Sequence, residues 1–129
     1  MHFLLHFRPA HYSAFLVFFQ YVVLETEAMG IIHEDRKSKQ WISDIKYSPD
    51  GFTLAIGSHD NTIYLHDVNN SYTVRAMCTK HNSFITHFDF SMDSATLQSN
   101  CGGYELLFCT SKMRTLVHLR THTLCLLRR

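Results

Sequence analysis

Between Ile42 and Val68 the chain changes its hydrophobic period in an informative way. In "ISDIKYS", Ile45 and Tyr47 stand two apart while Asp44 and Lys46 take the opposite parity, the pattern of a half-buried strand. "SPDG" then supplies a reversal: Pro49 pre-sets φ, Asp50 can bond its own backbone and Gly51 tolerates positive φ. "TLAIGS" is small and apolar on both parities, which predicts a strand covered on both faces, with Gly57 admitting a second backbone close by. In "HDN", Asp60 and Asn61 are natural turn residues, with His59 beside them. "TIYLHDV" is β-branched and aromatic, a third strand. The spacer from Asn69 to Asn82 has room for a fourth around "YTVRAMC". The prediction is an antiparallel meander.

The same pattern returns further along. A shift of 43 residues lays "ISDIKYSPDGFTLAI", from Ile42, over "ITHFDFSMDSATLQS", from Ile85, with Ile, Ser, Asp, Thr and Leu identical in register. In the second copy the later turn carries Gly102 and Gly103 where the first has Asp60 nearby, so the reversal is expected to use a different device. A period near 43 falls in the window of roughly 40 to 45 residues typical of four-stranded propeller blades.

At this point the residues resemble a known family. "SPDGFTLAIGSHDNTIYLHDV" resembles a WD-repeat blade, with its Ser-Pro-Asp-Gly turn, small-residue strand, Asp turn and hydrophobic strand in order. The run Gly57 to Asn61, and Ser99 to Leu106 in the second copy, look more narrowly like consecutive blades of the echinoderm microtubule-associated-protein-like proteins. The resemblance spans about residues 33 to 109. It implies an all-β fold, a partial β-propeller of about two four-stranded antiparallel blades. It also implies a non-catalytic cytoplasmic scaffold, associated with the cytoskeleton, whose partners are tubulin or microtubules. His66 stands where the repeat usually has Trp before Asp67, and His81 takes the place of the inter-blade His of that repeat.

Boundaries follow from composition. Residues 1–32 read as an apolar leader unlike a blade, 33–80 as the first blade, 81–110 as a second, incomplete blade, and 111–129 as a basic tail. The run "AFLVFFQYVVL" (14–24) is too short to span a bilayer, which takes about 20 apolar residues as a helix. It could serve as a signal-peptide core, which leaves a small secreted or metal-binding protein as the alternative reading. From Lys112 onward there are five Lys or Arg and no acid, leaving seven bases against eleven acids before it. The tail bases are spread among Leu, Thr and His, so neither a nucleic-acid nor a membrane partner is expected.

Candidate chemistry is sparse. There are four cysteines and ten histidines, but Cys101 and Cys109 lie too far apart for a zinc knuckle with His118 and His122. No metal ligand, cofactor site or catalytic residue is assigned. Pro49, Asp50, Gly51, His59, Asp60, Asn61, Gly102 and Gly103 are read as structural turn residues, with His59 also the surface contact favoured by type. A blade cannot bury both of its faces alone, and closure takes four to eight blades. The chain is therefore read as a fragment of a longer propeller, not expected to be a stable isolated monomer.

Overall fold

The alternation and turn signals are realised as strands throughout. The computed structural model describes residues 5–7, 12–17, 20–25, 27–36, 40–110 and 119–120, which form three four-stranded antiparallel meanders. The first sheet contains β1 (Leu5–Phe7), β2 (Tyr12–Val17), β3 (Gln20–Glu25) and β4 (Ile31–Asp35). The second contains β5 (Ile42–Tyr47), β6 (Thr53–Ser58), β7 (Ile63–Asp67) and β8 (Thr73–Cys78). The third contains β9 (Ile85–Phe90), β10 (Thr96–Cys101), β11 (Leu106–Thr110) and the short β12 (Leu119–Arg120). Strand β5 lies against both β1 and β9, so the sheets stack side by side through their first strands, as blades of a partial β-propeller do.

The first sheet corrects the boundaries expected from the sequence. The strands between Leu5 and Asp35 build a blade-like sheet where an unrelated leader was expected, and β4 closes that sheet instead of opening the next. Two features hid it. The segment has no Ser-x-Asp turn, and its apolar run covers two strands, β2 and β3, paired with Val17 opposite Gln20. Its next reversal uses Met29 at φ 53°, with mutual backbone bonds between Glu25 and the Met29–Gly30 pair at 2.9 Å. The period was nevertheless present: β3, β7 and β11 begin at Gln20, Ile63 and Leu106, each 43 residues after the last. The expected basic tail lies outside the described residues except for Leu119 and Arg120.

Two apolar clusters hold the sheets together. Tyr21 and Val23 of β3 pack with Ile42, Ile45, Tyr47, Leu54, Ile56 and Tyr64 between the first and second sheets. Ala55, Ile63 and Leu65 face the other way, meeting Ile85, Phe88 and Leu97 of the third sheet. This is why every residue of β6 is buried. A β-bulge between Ile42 and Asp44 lets Ile42 share the face of Ile45 and Tyr47 despite its opposite parity.

Strand β5 is more buried than its alternation suggested. Its polar parity is covered by β9, leaving Asp44 only 2% exposed. The Asp44 carboxylate accepts from Ile45 N at 3.0 Å and from Phe88 N, across the sheet boundary, at 3.3 Å. It is also 3.5 Å from His87 Nδ1 and 4.0 Å from Lys46 Nζ. A buried carboxylate so partnered bridges the second and third sheets.

Candidate interaction surface

The residue before each first strand and the second turn of the same sheet are clamped together. His59 N donates to Trp41 O at 2.7 Å, and in the next sheet Gly102 N donates to Phe84 O at 2.9 Å. These pairs are related by the 43-residue period. Their side chains form a row across two sheets: the His59 ring lies 6.2 Å from Trp41 and 4.8 Å from Phe84, centroid to centroid. All three are exposed, Trp41 at 55% and Phe84 at 42%. Gly102 makes room for this row, since a Cβ there would sit 2.4 Å from the Phe84 ring. The nearby carboxylates are hydrogen-bonded to their neighbours. Asp60 accepts from Thr62 N at 3.1 Å and from Tyr64 OH at 2.7 Å, and Glu105 accepts from Asn82 N and Nδ2. Burial first, and then the bond to Asp60, pushes the Tyr64 phenol up to about 12.

The turns at the opposite end hold Pro49, Asp50 and Gly51. Asp50 accepts from Ser48 Oγ and from Phe52 N at 3.0 Å, beside exposed Pro49, while Gly51 adopts φ 74°. Asp50 N also bonds outside its sheet, donating to Ser94 Oγ at 3.0 Å. Ser94 stands 43 residues after Gly51 and takes the same left-handed conformation, φ 59°. Likewise Asn61 (φ 66°) is matched by Tyr104 (φ 60°), so Tyr104, and neither Gly102 nor Gly103, supplies the left-handed residue of that turn. The two glycines serve close approach: a Cβ on Gly103 would meet Asn82 Oδ1 at 2.7 Å. Asp50 and Asp60 thus act as acceptors within turns and do not form a carboxylate pair.

Two histidines occupy buried positions. His66 is fully buried, its Nδ1 2.8 Å from Tyr72 O and 3.1 Å from Tyr21 OH. A carbonyl oxygen only accepts, so the proton of the neutral ring sits on Nδ1. Around it, Tyr21 packs edge-on and His33 stacks on Tyr72 at 5.1 Å, an aromatic box tying the first sheet to the second. The Tyr21 phenol is pushed far up, by burial above all and then by Asp35 and Tyr72. His81, in the third sheet, bonds Ser99 Oγ through Nε2 at 2.7 Å.

The cysteines separate into different environments. Cys109 belongs with Cys78 in the cluster between the second and third sheets, where the neighbouring Cys109 thiol and then burial drive the Cys78 thiol up. Cys101 instead meets His81 and Glu105, with ligand atoms of all three within 4.8 Å of one another. Sequence spacing could not find this group, because His81 is distant along the chain and Glu105 carries no motif. His118 and His122 lie outside the described residues. Among the described residues no helix is long and apolar enough to cross a membrane.

Comparison with known proteins bears on the parent assembly. Residues 19–123 match the family model described as "Echinoderm microtubule-associated protein second beta-propeller". The 77 kDa echinoderm microtubule-associated protein of Strongylocentrotus purpuratus is 45% identical over 92 residues, covering 69% of this chain and 13% of that protein. Echinoderm microtubule-associated protein-like 3 of Mus musculus is 42% identical over 92 residues, covering 69% of this chain and 10% of that protein. Echinoderm microtubule-associated protein-like 1 of Homo sapiens is likewise 42% identical over 92 residues, 69% of this chain and 11% of its own length. The chain therefore spans about a tenth of the length of these relatives.

Proposed function

This chain belongs to the echinoderm microtubule-associated protein family, in the part described as its second β-propeller, and from that membership we propose that it is a non-catalytic interaction scaffold. Its partner is polymerised tubulin, its place the cytoplasmic cytoskeleton, and its contact surface the row Trp41, His59 and Phe84. That exposed row is the observation that carries the reading. Aromatic side chains supply large contact area with few rotatable bonds, and exposed aromatic groups of this kind dominate binding energy at protein interfaces. The inward engagement of Asp60 by Tyr64 supports the same reading, since it keeps that carboxylate from facing an acidic polymer.

The uncovered faces of the outer sheets belong, on this reading, against neighbouring blades of a longer propeller. Three blades fall short of the four to eight that close a ring. The partly buried Leu106 and Phe108 of β11 and the exposed Asn100 of β10 are suited to such cover.

Co-sedimentation with microtubules tests the reading. The full chain is compared with a Trp41→Ala/Phe84→Ala variant and with Met92→Ala, a change at the opposite end of the sheets, where Met92 is 91% exposed. The double variant is expected to bind about tenfold more weakly, the loss of roughly 1.4 kcal/mol, and Met92→Ala to bind as the parent does. Equal binding by all three, or loss in Met92→Ala alone, would remove the assigned surface.

A further inference from the structure

We propose that His81, Cys101 and Glu105 form a binding site for a divalent cation of the zinc class. The three residues come from separate parts of the third sheet's end, which folding brings together. His81 precedes β9, Cys101 ends β10, and Glu105 lies across the turn. That turn is tight: Cys101 N donates to Glu105 O at 3.2 Å and Tyr104 N to Cys101 O at 3.1 Å. It places Cys101 Sγ 3.8 Å from Glu105 Oε2. Sulfur and oxygen in one tetrahedral zinc shell, at about 2.3 and 2.0 Å from the ion, lie roughly 3.5 Å apart. The ligand atoms of all three residues lie within 4.8 Å of one another. Closing the group around an ion takes at most about 1.3 Å of movement shared between two side chains.

The surroundings prepare each ligand. His81 Nε2 lies 2.7 Å from Ser99 Oγ, which also has Leu107 O as an acceptor at 3.5 Å. In the tautomer that donates from Nε2 the lone pair is on Nδ1, and the bond to Ser99 fixes the plane of the ring, as outer partners do for metal-bound imidazoles. Glu105 is held by Asn82 through both of its oxygens, at 3.2 and 3.0 Å. Cys101 and Glu105 also line an open groove with Phe84, Asn100 and Tyr104, which provides an entry path and room for water as fourth ligand. A thiolate, an imidazole and a carboxylate form a donor set suited to zinc and poorly suited to magnesium or calcium. Binding converts the Cys101 thiol to a metal thiolate, and the displaced proton goes to solvent.

Cobalt(II) titrated into the full chain is the test, because a cobalt thiolate has a charge-transfer absorption that a carboxylate or imidazole complex lacks. One equivalent is expected to produce that band, and zinc to abolish it by competition. Cys101→Ser should remove the band, Glu105→Gln should weaken binding at least about tenfold, and Cys125→Ser should leave it intact. Glu105→Gln keeps an oxygen for Asn82, so it reads ligation even if Cys101→Ser fails to fold, which circular dichroism of each metal-free variant monitors. A band that is absent from the parent chain, survives Cys101→Ser, or is unchanged by Glu105→Gln would overturn the proposal.

Discussion

Adding one methyl group at Gly57 tests whether the second and third sheets are docked as described. A Cβ there would lie 2.8 Å from Ile85 Cγ2 and 2.9 Å from Phe88 Cε1. Carbon atoms pack best at about 3.5 to 4.0 Å, so the overlap is about 0.6 to 0.7 Å on two neighbours at once. Both neighbours are buried, Ile85 at 0% and Phe88 at 2% exposure, and neither can swing into solvent. Gly57 is not among the residues with positive φ, so alanine is tolerated by the backbone and only the packing is perturbed. Overpacking of this kind costs about 1–3 kcal/mol. Restricting the unfolded chain returns about 0.4–1 kcal/mol, which leaves Gly57→Ala destabilised by up to about 2.6 kcal/mol, and by about 1.3 kcal/mol at the middle of both ranges. Urea unfolding followed by circular dichroism reads this as a lower midpoint at unchanged slope. Phe88→Leu in the same chain should recover part of the loss, a coupling that two independent defects would not give. An unchanged or raised midpoint for Gly57→Ala would refute the close contact between β6 and β9.

Two further outcomes follow from the buried polar groups. Asp44→Ala removes the acceptor for Phe88 N at the same boundary and should cost about 1–3 kcal/mol, with Asp44→Asn costing less because it keeps an oxygen; equal urea midpoints for Asp44→Ala and the parent would contradict the bond. Alkaline pH should unfold the protein, because Tyr21 and Tyr64 both hold their protons more tightly when folded. Above the ordinary phenol value of 10.0 the unfolded chain loses protons that the folded chain keeps, so stability falls as pH rises; the Tyr64 share of that loss is complete near about 12. In Tyr64→Phe the urea midpoint should fall less steeply over that window, and an identical slope would count against the Asp60–Tyr64 bond.

Much of the fold could be read along the chain because a propeller blade is local. Its strands are joined by short turns, and Asp50, Gly51, Asp60 and Asn61 are residues whose conformational preferences act within a few positions. The second copy was legible only through its alignment with the first. Ser94 and Tyr104 adopt positive φ without being types that favour it, so the surrounding sheet imposes the turn. The first sheet was illegible because it carries no such signals. Its strands form where an adjacent apolar face, that of Tyr47, Leu54 and Ile56, rewards the burial of Tyr21 and Val23. The exposed aromatic row proposed as the contact surface was partly visible, in the choice of His59. Trp41 and Phe84 could not be added, since their alignment with His59 depends on the lateral stacking of two sheets.

The sequence by itself determined the 43-residue period and, from Ile45 to Asp67, the reversals and the alternation of the strands, because turn chemistry and side-chain alternation are properties of neighbouring residues. Tertiary structure alone decided which polar positions became interior. It buried Asp44 by placing β9 over a parity that reads as exposed. It set His66 in an aromatic box drawn from two sheets, and it gathered His81, Cys101 and Glu105 at one turn. Those groupings depend on distances between segments that the chain's order leaves open, and packing fixes them only when whole sheets meet.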